Sequence, residues 1–384
     1  MSNVLLVDTN FSSGPIYNYL VKAGHEVHVV GGNPKDFLAK CVTNYVNIDY
    51  TDINKVSQFI RDKGIELIVP GCNDRSYQVC AELNQNGIYP GIDTIEATET
   101  INNKEQFRAF AAQHGLSVPH VLLSEEIGKR WPVIVKPVDA YSGRGVTILH
   151  ESEQSQLQTS IDRAREFSRS QTCIVEDYVE GQLFSHTAFI SKGEVLVDHI
   201  VEEHGTANRF VVDTSRVIYD FPRDMLAQLR HSVTIMARQL RLCDGLVHTQ
   251  FIKNGDKHWL IEVTRRCPGD LYSQLIELST GLNYAENYAR PFINQPLDLK
   301  SPRAEPAWII RHTLSQPIEH VLGSIQFHMP LNIEKLVPIS LAGDIVKESP
   351  YGRIAILFTK ANSEAESKDL FTRILERKLY TVHL

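Results

Sequence analysis

Two predicted strands near residue 250 carry oxygen-bearing side chains that could hold a divalent cation. The segment HTQFI (248–252) is followed by an Asn-Gly turn and then by WLIEVT (259–264). Asn-Gly is a strong hairpin signal, so the two strands are predicted to pair. Gln250, Glu262 and Thr264 then take alternate positions that can face one side of the sheet. Mg²⁺ prefers oxygen ligands and is commonly held by one or two carboxylates plus substrate phosphates, so this face is a candidate magnesium site.

A lysine followed by a glycine-containing segment could bind phosphate groups. Lys136 ends the apolar run 133–135, and the residues after it include Ser142, Gly143 and Gly145. Glycines in such a turn let backbone N–H groups approach β- and γ-phosphates, while the ammonium supplies positive charge. The same residues also suit an ordinary hairpin turn, so by themselves they leave both interpretations open.

The first loop of the chain argues against dinucleotide binding. Residues 8–14 lack the GxGxxG pattern that close approach to a pyrophosphate requires. Free N–H groups at the start of the next helix can still hold an anion, so Ser12, Ser13 and Gly14 are candidates for contact with a substrate carboxylate or phosphate. A simple helix cap explains the same residues.

Composition limits the classes of partner. The formal net charge is -7, which disfavours a nonspecific nucleic-acid binder, and the six cysteines contain no CxxC pair that would suggest zinc or a disulfide framework. The apolar run 4–7 is too short for a signal peptide, and no stretch is long enough to span a bilayer. We therefore expect a cytoplasmic protein that acts on small molecules, without nucleic-acid or membrane partners.

The pattern of elements changes along the chain. Short strand-like segments at 4–7, 27–30 and 65–69, rich in Val, Ile and Leu, alternate with helical segments, which predicts a parallel sheet through about residue 90. Later strands are expected to pair with near neighbours, as in a hairpin of 184–190 with 194–200. The 384 residues thus predict two or three lobes, first α/β and then α+β.

Over roughly residues 102–284 the order of these motifs resembles the ATP-grasp superfamily. Within it, the chain is similar to carboxylate-amine ligases, including L-amino-acid ligases, phosphoribosylamine-glycine ligase and the carbamoyl-phosphate synthetase large subunit. Asn103-Lys104 looks like the family's Asp-Lys, which implies that Lys104 contacts the α-phosphate. Lys136 matches the second nucleotide lysine, and residues 142–146 match the glycine-rich lid.

The resemblance also implies how the nucleotide base is recognised. Glu176, Asp177 and Val179 lie in a segment similar to the family's hinge, where Glu176 and the backbone around Asp177 to Val179 would read the adenine edge. The place of the family's ribose carboxylate reads Leu183 here. Gln182 and His186 are the candidate substitutes.

The magnesium and phosphoryl residues follow the family pattern with one departure. Glu262 and Arg266 match the glutamate and arginine of ExNxR, and Arg266 is expected to contact the transferring phosphoryl group or the substrate carboxylate. Gln250 occupies a position where the family has an acid or a glutamine. Thr264 replaces the asparagine of the motif, which leaves open whether one or two metal ions bind. The implied cofactors are ATP and Mg²⁺, with Mn²⁺ as a substitute.

The resemblance implies an ATP-grasp fold in three parts. These are an N-terminal Rossmann-like domain over residues 1–92, an ATP-grasp domain over 93–296 with a lid at about 120–182, and a small strand-rich α+β lobe over 297–384. The expected activity is an ATP-dependent ligase that forms an amide from a small-molecule carboxylate and an amine through an acyl phosphate, with Arg266 and Lys136 as catalytic residues. A noncatalytic ATP-binding regulator and an ATP-dependent carboxylase or kinase are the alternatives, and homodimerisation is left open.

Overall fold

The structure of the protein, a computed structural model, describes residues 1–140, 143–300 and 305–383. The first part is an α/β unit whose strands are all parallel, in the order β3-β2-β1-β4. Its elements are β1 (Asn3–Val7), α1 (Gly14–Lys22), β2 (Glu26–Val30), α2 (Phe37–Cys41), β3 (Tyr45–Val46), α3 (Ile53–Lys63), β4 (Leu67–Pro70), α4 (Asp74–Leu83) and α5 (Ile95–Asn102).

The second part is a small antiparallel sheet with order β6-β5-β7. One face of this sheet has its own apolar core, which includes Val133, Leu149 and Ala164. We call residues 133–177 the lid sheet, and its glycine-containing loop joins β5 to β6. The elements here are α6 (Lys104–Gln113), β5 (Val133–Pro137), β6 (Thr147–Leu149), α7 (Leu157–Phe167) and β7 (Cys173–Asp177).

The third part is built on an antiparallel sheet of eight strands in the order β12-β11-β8-β9-β10-β13-β18-β16. Two pairs of short strands, β14 with β17 and β15 with β19, lie beside it. Its elements are β8 (Gln182–Ser191), β9 (Glu194–His204), β10 (Thr214–Ile218), α8 (Arg223–Gln239), β11 (Gly245–Asn254), β12 (Lys257–Thr264), α9 (Tyr272–Thr280), α10 (Tyr284–Ala289), β13 (Trp308–Leu314), β14 (His320–Val321), β15 (Ser324–Phe327), β16 (Ile333–Pro338), β17 (Ile345–Val346), β18 (Ala355–Ala361), α11 (Glu364–Leu375) and β19 (Tyr380–His383).

The predicted fold class is confirmed, with a parallel sheet first and antiparallel sheets after it. Residues 4–7 of β1 are fully buried, as expected for a parallel strand covered on both faces. The strands β13, β18 and β16 extend the same sheet that contains β8 to β12. The sheet is therefore continuous across the predicted boundary at residue 296, and the division into domains stays a prediction.

The N-terminal sheet packs directly on the helices that follow β12. Val4 and Leu6 share one apolar core with Leu275 of α9 and Tyr284 of α10. The hydroxyl of Tyr288 also donates to the carbonyl oxygen of Pro70, at 3.1 Å. This docking brings the start of α4 next to the end of β12. Among the described helices, none has the length and apolar character needed to cross a bilayer.

Candidate active site

The two strands predicted to hold magnesium pair as expected. In the register of β11 with β12, Gln250 lies opposite Glu262 and His248 lies opposite Thr264. Directly paired residues of antiparallel strands point to the same face of the sheet. Gln250, Glu262 and Thr264 are therefore brought together on one face.

The contacts of these three side chains differ. The amide nitrogen of Gln250 donates to the carboxylate of Glu203 at 2.7 Å, which leaves the amide oxygen as the atom that can bind a cation. The carboxylate of Glu262 is 3.3 Å from the ammonium of Lys104 and is 40% exposed. The hydroxyl of Thr264 donates to Asp74 at 2.8 Å. The predicted metal role stays a prediction for all three residues.

Glu203 is a buried carboxylate that sequence reasoning missed. It lies on β9, is 3% exposed, and also accepts a hydrogen bond from the Ser185 hydroxyl at 2.8 Å. Burial raises the pKa of the Glu203 carboxyl above its usual value, against the opposing effect of the hydrogen bonds from Ser185 and Gln250. Glu203 thus engages the nitrogen end of the Gln250 amide.

Lys104 lies at the start of α6, where the Asn103 side chain caps the helix. Its ammonium donates to the carbonyl oxygen of Ala140 at 3.1 Å and contacts Glu262. Ala140 belongs to the segment that leads from β5 into the lid loop. The predicted α-phosphate lysine therefore stands between the lid sheet and the strand that carries Glu262.

Lys136, Glu176 and Arg108 form a buried ionic triad. Arg108 Nε is 2.5 Å from Glu176 Oε1, and the Lys136 ammonium forms an ion pair with Glu176 Oε2. Burial alone would raise the pKa of the Glu176 carboxyl, but the charges of Lys136 and Arg108 hold it below its usual value. Burial also lowers the pKa of Lys136, against the attraction of Glu176. Both carboxylate oxygens of Glu176 are engaged, so its predicted contact with adenine competes with these cations.

The predicted hinge backbone is partly engaged as well. The N–H groups of Asp177 and Tyr178 donate to the carbonyl oxygens of His120 and Pro132, at 2.9 and 3.0 Å. Within residues 1–140, 143–300 and 305–383, no partner is found for the N–H of Val179. Val179 is therefore the hinge residue whose backbone donor can meet a nucleotide base. The predicted reading of adenine is not tested by these contacts.

The candidate ribose contacts are occupied by other partners. The Gln182 amide nitrogen donates to the carbonyl oxygens of Glu203 and Leu183. His186 is fully buried, and its ring bonds Asp198 at 2.8 Å. His186 therefore has no access to a ribose in this arrangement.

The described part of the lid loop begins at Gly143. Both Gly143 and Gly145 adopt positive φ, at 66° and 70°, a conformation that favours glycine. A Cβ atom at residue 143 would lie 2.4 Å from the Cβ of Phe210, so the loop packs tightly against the segment after β9. Ser142, which was also predicted to bind the nucleotide, lies outside the described residues.

Arg266 forms a two-point ion pair with Asp74. Arg266 Nε is 2.9 Å from Asp74 Oδ1, and Nη2 is 3.2 Å from Oδ2. Burial opposes both charges, but the paired Arg266 holds the pKa of the Asp74 carboxyl below its usual value, and Asp74 raises the pKa of Arg266. Arg266, which is predicted to bind the phosphoryl group or the substrate carboxylate, is thus oriented by Asp74 of the N-terminal unit.

A cavity of about 430 Å³ opens beside these groups. Its walls come from α4, α5, the start of α6, the segment before the lid loop, the segment between α7 and β7, and β12. The charged residues lining it are Asp74, Arg75, Glu99, Lys104, Asp139, Arg169 and Glu262. Lys104, Glu262 and Asp74 therefore line the same cavity, whereas Lys136 of the buried triad is not among its lining residues.

The predicted anion loop near the N-terminus faces inward. Ser12 and Ser13 are buried, and the Ser13 hydroxyl donates to Asp8 at 2.8 Å. The Ser12 hydroxyl accepts from the N–H of Leu271. Gly14 begins α1 and is buried too. These hydroxyl contacts tie the loop to its surroundings rather than to the cavity.

The oxygen atoms near Glu262 suit a cation that is completed by phosphates. Across the residues that the structure describes, no three His, Cys, Asp or Glu side chains are grouped to hold a metal ion by themselves. Glu262 and the amide oxygen of Gln250 offer hard oxygen donors, and Mg²⁺ usually takes its other ligands from phosphates and water. The donor set therefore fits Mg²⁺ bound together with a nucleotide.

Comparison with known proteins places this site in a defined fold. Residues 129–274 match the ATP-grasp domain family. The resemblance seen in the sequence is therefore confirmed over these residues. The carbamoyl phosphate synthase large chain of Halobacterium salinarum is 23% identical over 330 residues, which cover 79% of this chain and 31% of that protein. The chain spans between 26% and 31% of the length of the curated relatives it matches.

Two solved structures share the whole architecture. The L-amino acid ligase from Bacillus licheniformis superposes with a TM-score of 0.80 at 16% identity, covering 100% of this chain and 99% of the ligase. The phosphoribosylglycinamide synthetase from Anaerococcus prevotii gives a TM-score of 0.76 at 18% identity, with the same coverage of 100% and 99%. At these identities the likeness shows the fold alone.

Proposed function

We propose that this protein is an ATP-dependent ligase that joins a carboxylate to an amine through an acyl phosphate. The observation that carries the proposal is the contact between Lys104 and Glu262, beside the Ala140 carbonyl at the base of the lid loop. A cation and a carboxylate at this place suit a nucleoside triphosphate whose phosphates are held with Mg²⁺. The names of the similar proteins, an L-amino acid ligase and a glycinamide synthetase, support the same class of reaction.

The chain's own residues would act mainly by positioning and by neutralising charge. Lys104 and Lys136 would hold the nucleotide phosphates, and Glu262 with Gln250 would hold Mg²⁺. Bound there, Mg²⁺ neutralises phosphate charge during phosphoryl transfer. Arg266 presents a planar fork of N–H donors, a shape that suits the substrate carboxylate or the transferring phosphoryl group.

The reaction would then proceed in two steps, phosphoryl transfer and attack by the amine. A carboxylate oxygen of the acid forms a bond to the γ-phosphorus while the bond between that phosphorus and the ADP oxygen breaks. The amine nitrogen next attacks the carbonyl carbon of the acyl phosphate, inorganic phosphate leaves, and the nitrogen loses a proton. Closure of the lid loop over the site would keep water from the acyl phosphate.

A test combines the purified protein with MgATP and a panel of amino acids and other carboxylic acids, each with several amines. We expect ADP release that requires both an acid and an amine. With the acid labelled by ¹⁸O in its carboxylate, one labelled oxygen should appear in the released phosphate, because that oxygen leaves with the phosphoryl group. The variant Glu262→Ala provides the inactive control.

Other results would point to the alternative functions. ADP release that requires bicarbonate would indicate a carboxylase, and a stable phosphorylated product would indicate a kinase. Binding of MgATP without any substrate-dependent ADP release across the panel would indicate a noncatalytic regulator. Phosphate without ¹⁸O would contradict the acyl phosphate.

A further inference from the structure

The contacts of Asp74 reach two residues that are almost two hundred positions away. Asp74 Oδ1 accepts from the Thr264 hydroxyl at 2.8 Å and from Arg266 Nε at 2.9 Å. Asp74 Oδ2 accepts from Arg266 Nη2 at 3.2 Å. Asp74 is in the first turn of α4, whose N-cap is the separate residue Asn73, so its carboxylate is not needed to cap the helix. The carboxylate instead links α4 to the end of β12.

The neighbouring ion pair of Arg265 with Asp93 is a structural link that can be compared with the pair of Arg266 and Asp74. Arg265 and Asp93 are 3% and 0% exposed, and Arg265 also donates to the carbonyl oxygens of Leu246 and Cys243. Arg266 and Asp74 are 19% and 26% exposed, and Asp74 lines the cavity that Lys104 and Glu262 share. The Asp74 pair therefore remains accessible to a ligand, whereas the Asp93 pair does not.

Asp74 holds the Arg266 guanidinium along one edge. Its Nε and Nη2 groups are engaged by Asp74, whereas Nη1 is 3.5 Å from the carbonyl oxygen of Cys267. A guanidinium held at two points cannot rotate freely, so its remaining N–H groups keep a fixed direction. Preorganised donors of this kind stabilise charge that develops during a reaction.

Thr264 belongs to the same arrangement. Its hydroxyl proton goes to Asp74, and its oxygen accepts the backbone N–H of Arg266 at 3.3 Å. Thr264 is 4% exposed. This use of the hydroxyl explains why a threonine can stand where the ExNxR pattern has an asparagine.

We propose that Asp74 is a positioning residue that, with Thr264, holds Arg266 in the direction required to bind the substrate carboxylate. We call these contacts of Asp74 and Thr264 with Arg266 the clamp. Its role in catalysis rests on the proposed function, whereas its geometry does not. It assigns Thr264 to the orientation of Arg266 and leaves Gln250 and Glu262 as the protein ligands of Mg²⁺.

The kinetic test uses Asp74→Asn and Thr264→Val with the acid and amine identified by the panel. In Asp74→Asn, an NH₂ group replaces one carboxylate oxygen and faces an N–H of Arg266, which is also a donor. The Arg266 guanidinium should therefore change its orientation. We expect kcat/KM for the acid to fall on the order of ten- to a hundred-fold in Asp74→Asn, and by less in Thr264→Val. The Kd for MgATP should stay within about two-fold, because the residues proposed to bind the nucleotide lie elsewhere. The Mg²⁺ midpoint, which is the Mg²⁺ concentration that gives half-maximal activity, should stay within the same range for the same reason.

The control is Glu82→Gln, which alters another carboxylate of α4 that pairs with Arg75 at a long 3.9 Å. Its kcat/KM should match that of the parent protein. Unchanged kcat/KM in Asp74→Asn would overturn the proposal. So would a Thr264→Val variant that alters the Mg²⁺ midpoint more than kcat/KM, since this is the signature of a metal ligand.

A second measurement separates failure of the clamp from failure of the proposed function. The Nε–H resonance of Arg266, assigned by its loss in Arg266→Lys, can be followed by NMR in the 384-residue chain with and without MgATP. We expect slow solvent exchange that becomes fast in Asp74→Asn. Fast exchange in the parent protein would contradict the clamp even if ligation is observed, and slow exchange would support it even if the panel yields no ligation.

Discussion

The ammonium of Lys104 lies 3.3 Å from the carboxylate of Glu262, which is 158 residues further along the chain. The two residues come from the start of α6 and from β12, and their contact closes one wall of the cavity. A phosphate group that enters the cavity here would meet the Lys104 ammonium. The phosphate and the Glu262 carboxylate could then bind the same metal ion. The following predictions test this arrangement and its surroundings.

Glu262→Gln should remove most ATP turnover. The amide keeps the shape of the side chain but loses the negative charge that binds Mg²⁺, so we expect a loss of at least about 100-fold in kcat and a higher Mg²⁺ midpoint. Steady-state ADP release over a Mg²⁺ titration measures both quantities. The exposed carboxylate Glu334 on β16 offers the matched control Glu334→Gln. Equal turnover in the two variants would refute the metal role of Glu262.

The ionic triad predicts an order of stability among variants. Glu176→Gln leaves the cations Arg108 and Lys136 buried without a counter-charge, so we expect a loss on the order of 3–5 kcal/mol in the free energy of unfolding. Lys136→Met leaves one guanidinium and one carboxylate, whose charges balance, and should cost less. Chemical denaturation of both variants decides the matter. A larger loss in Lys136→Met than in Glu176→Gln would contradict the proposed charge balance.

The same lysine should matter for nucleotide binding. Lys136→Met removes a positive charge that is predicted to face the phosphates, so the Kd for MgATP should rise by about ten-fold or more. Isothermal titration calorimetry with MgATP measures this directly. Lys192→Met in the β8–β9 turn serves as the control, because it also removes a lysine charge. Identical affinities in the two variants would exclude Lys136 from the nucleotide site.

Three histidines, of which His248 and His312 are buried and His199 is partly buried, predict how stability depends on pH. Burial lowers the pKa of His199 to about 4, that of His248 to about 3 and that of His312 to about 4. In the unfolded chain each pKa is near 6.5, so the unfolded state binds more protons below that pH. The free energy of unfolding should therefore be highest above about pH 6.5 and fall towards pH 4, by up to about 1.4 kcal/mol per pH unit for each group. Denaturant titrations between pH 4 and 8 measure this slope, and constant stability over that range would contradict it.

The lid loop can be tested through two glycines with similar backbones. Gly143→Ala would place a Cβ atom 2.4 Å from the Cβ of Phe210, whereas Gly255→Ala, also at positive φ, has no atom within 4 Å. Both substitutions carry the left-handed cost of roughly 1–2 kcal/mol, but only the first displaces the loop. We expect Gly143→Ala alone to lower the amount of amide formed per ADP released, because water reaches the acyl phosphate. Equal coupling in both variants would separate this loop from water exclusion.

Local patterns in the sequence were enough to predict the strands that carry the site. The hairpin of β11 and β12 follows from alternating residues and an Asn-Gly turn, and its register brings Gln250 and Glu262 together. Likewise, α8 starts at Arg223 directly after Pro222, which is its N-cap. These features depend on residues close in sequence, where periodicity and turn chemistry determine the structure.

The residues that sequence reasoning missed depend on contacts between distant parts. Asp74 reaches Arg266 across 192 positions, Arg108 reaches Glu176 across 68, and Glu203 reaches Gln250 across 47. Each is an ordinary charged residue of a helix or strand until the parts dock. The N-terminal sheet shares an apolar core with α9 and α10, and this docking accompanies the contact of Asp74 with Thr264. No local pattern specifies such a meeting.

That shared core has a consequence for protein engineering. An exchange of the N-terminal unit with that of a protein of the same fold would cut through apolar packing, because the buried side chains of Leu275 and Tyr284 belong to the same core as β1. A chimaera should therefore carry α9 and α10 along with the first sheet, together with Arg266. The lid sheet has a separate apolar core. A transplant of the lid sheet would leave that core whole but would have to carry Arg108 of α6 as well, because Arg108 pairs with the buried Glu176.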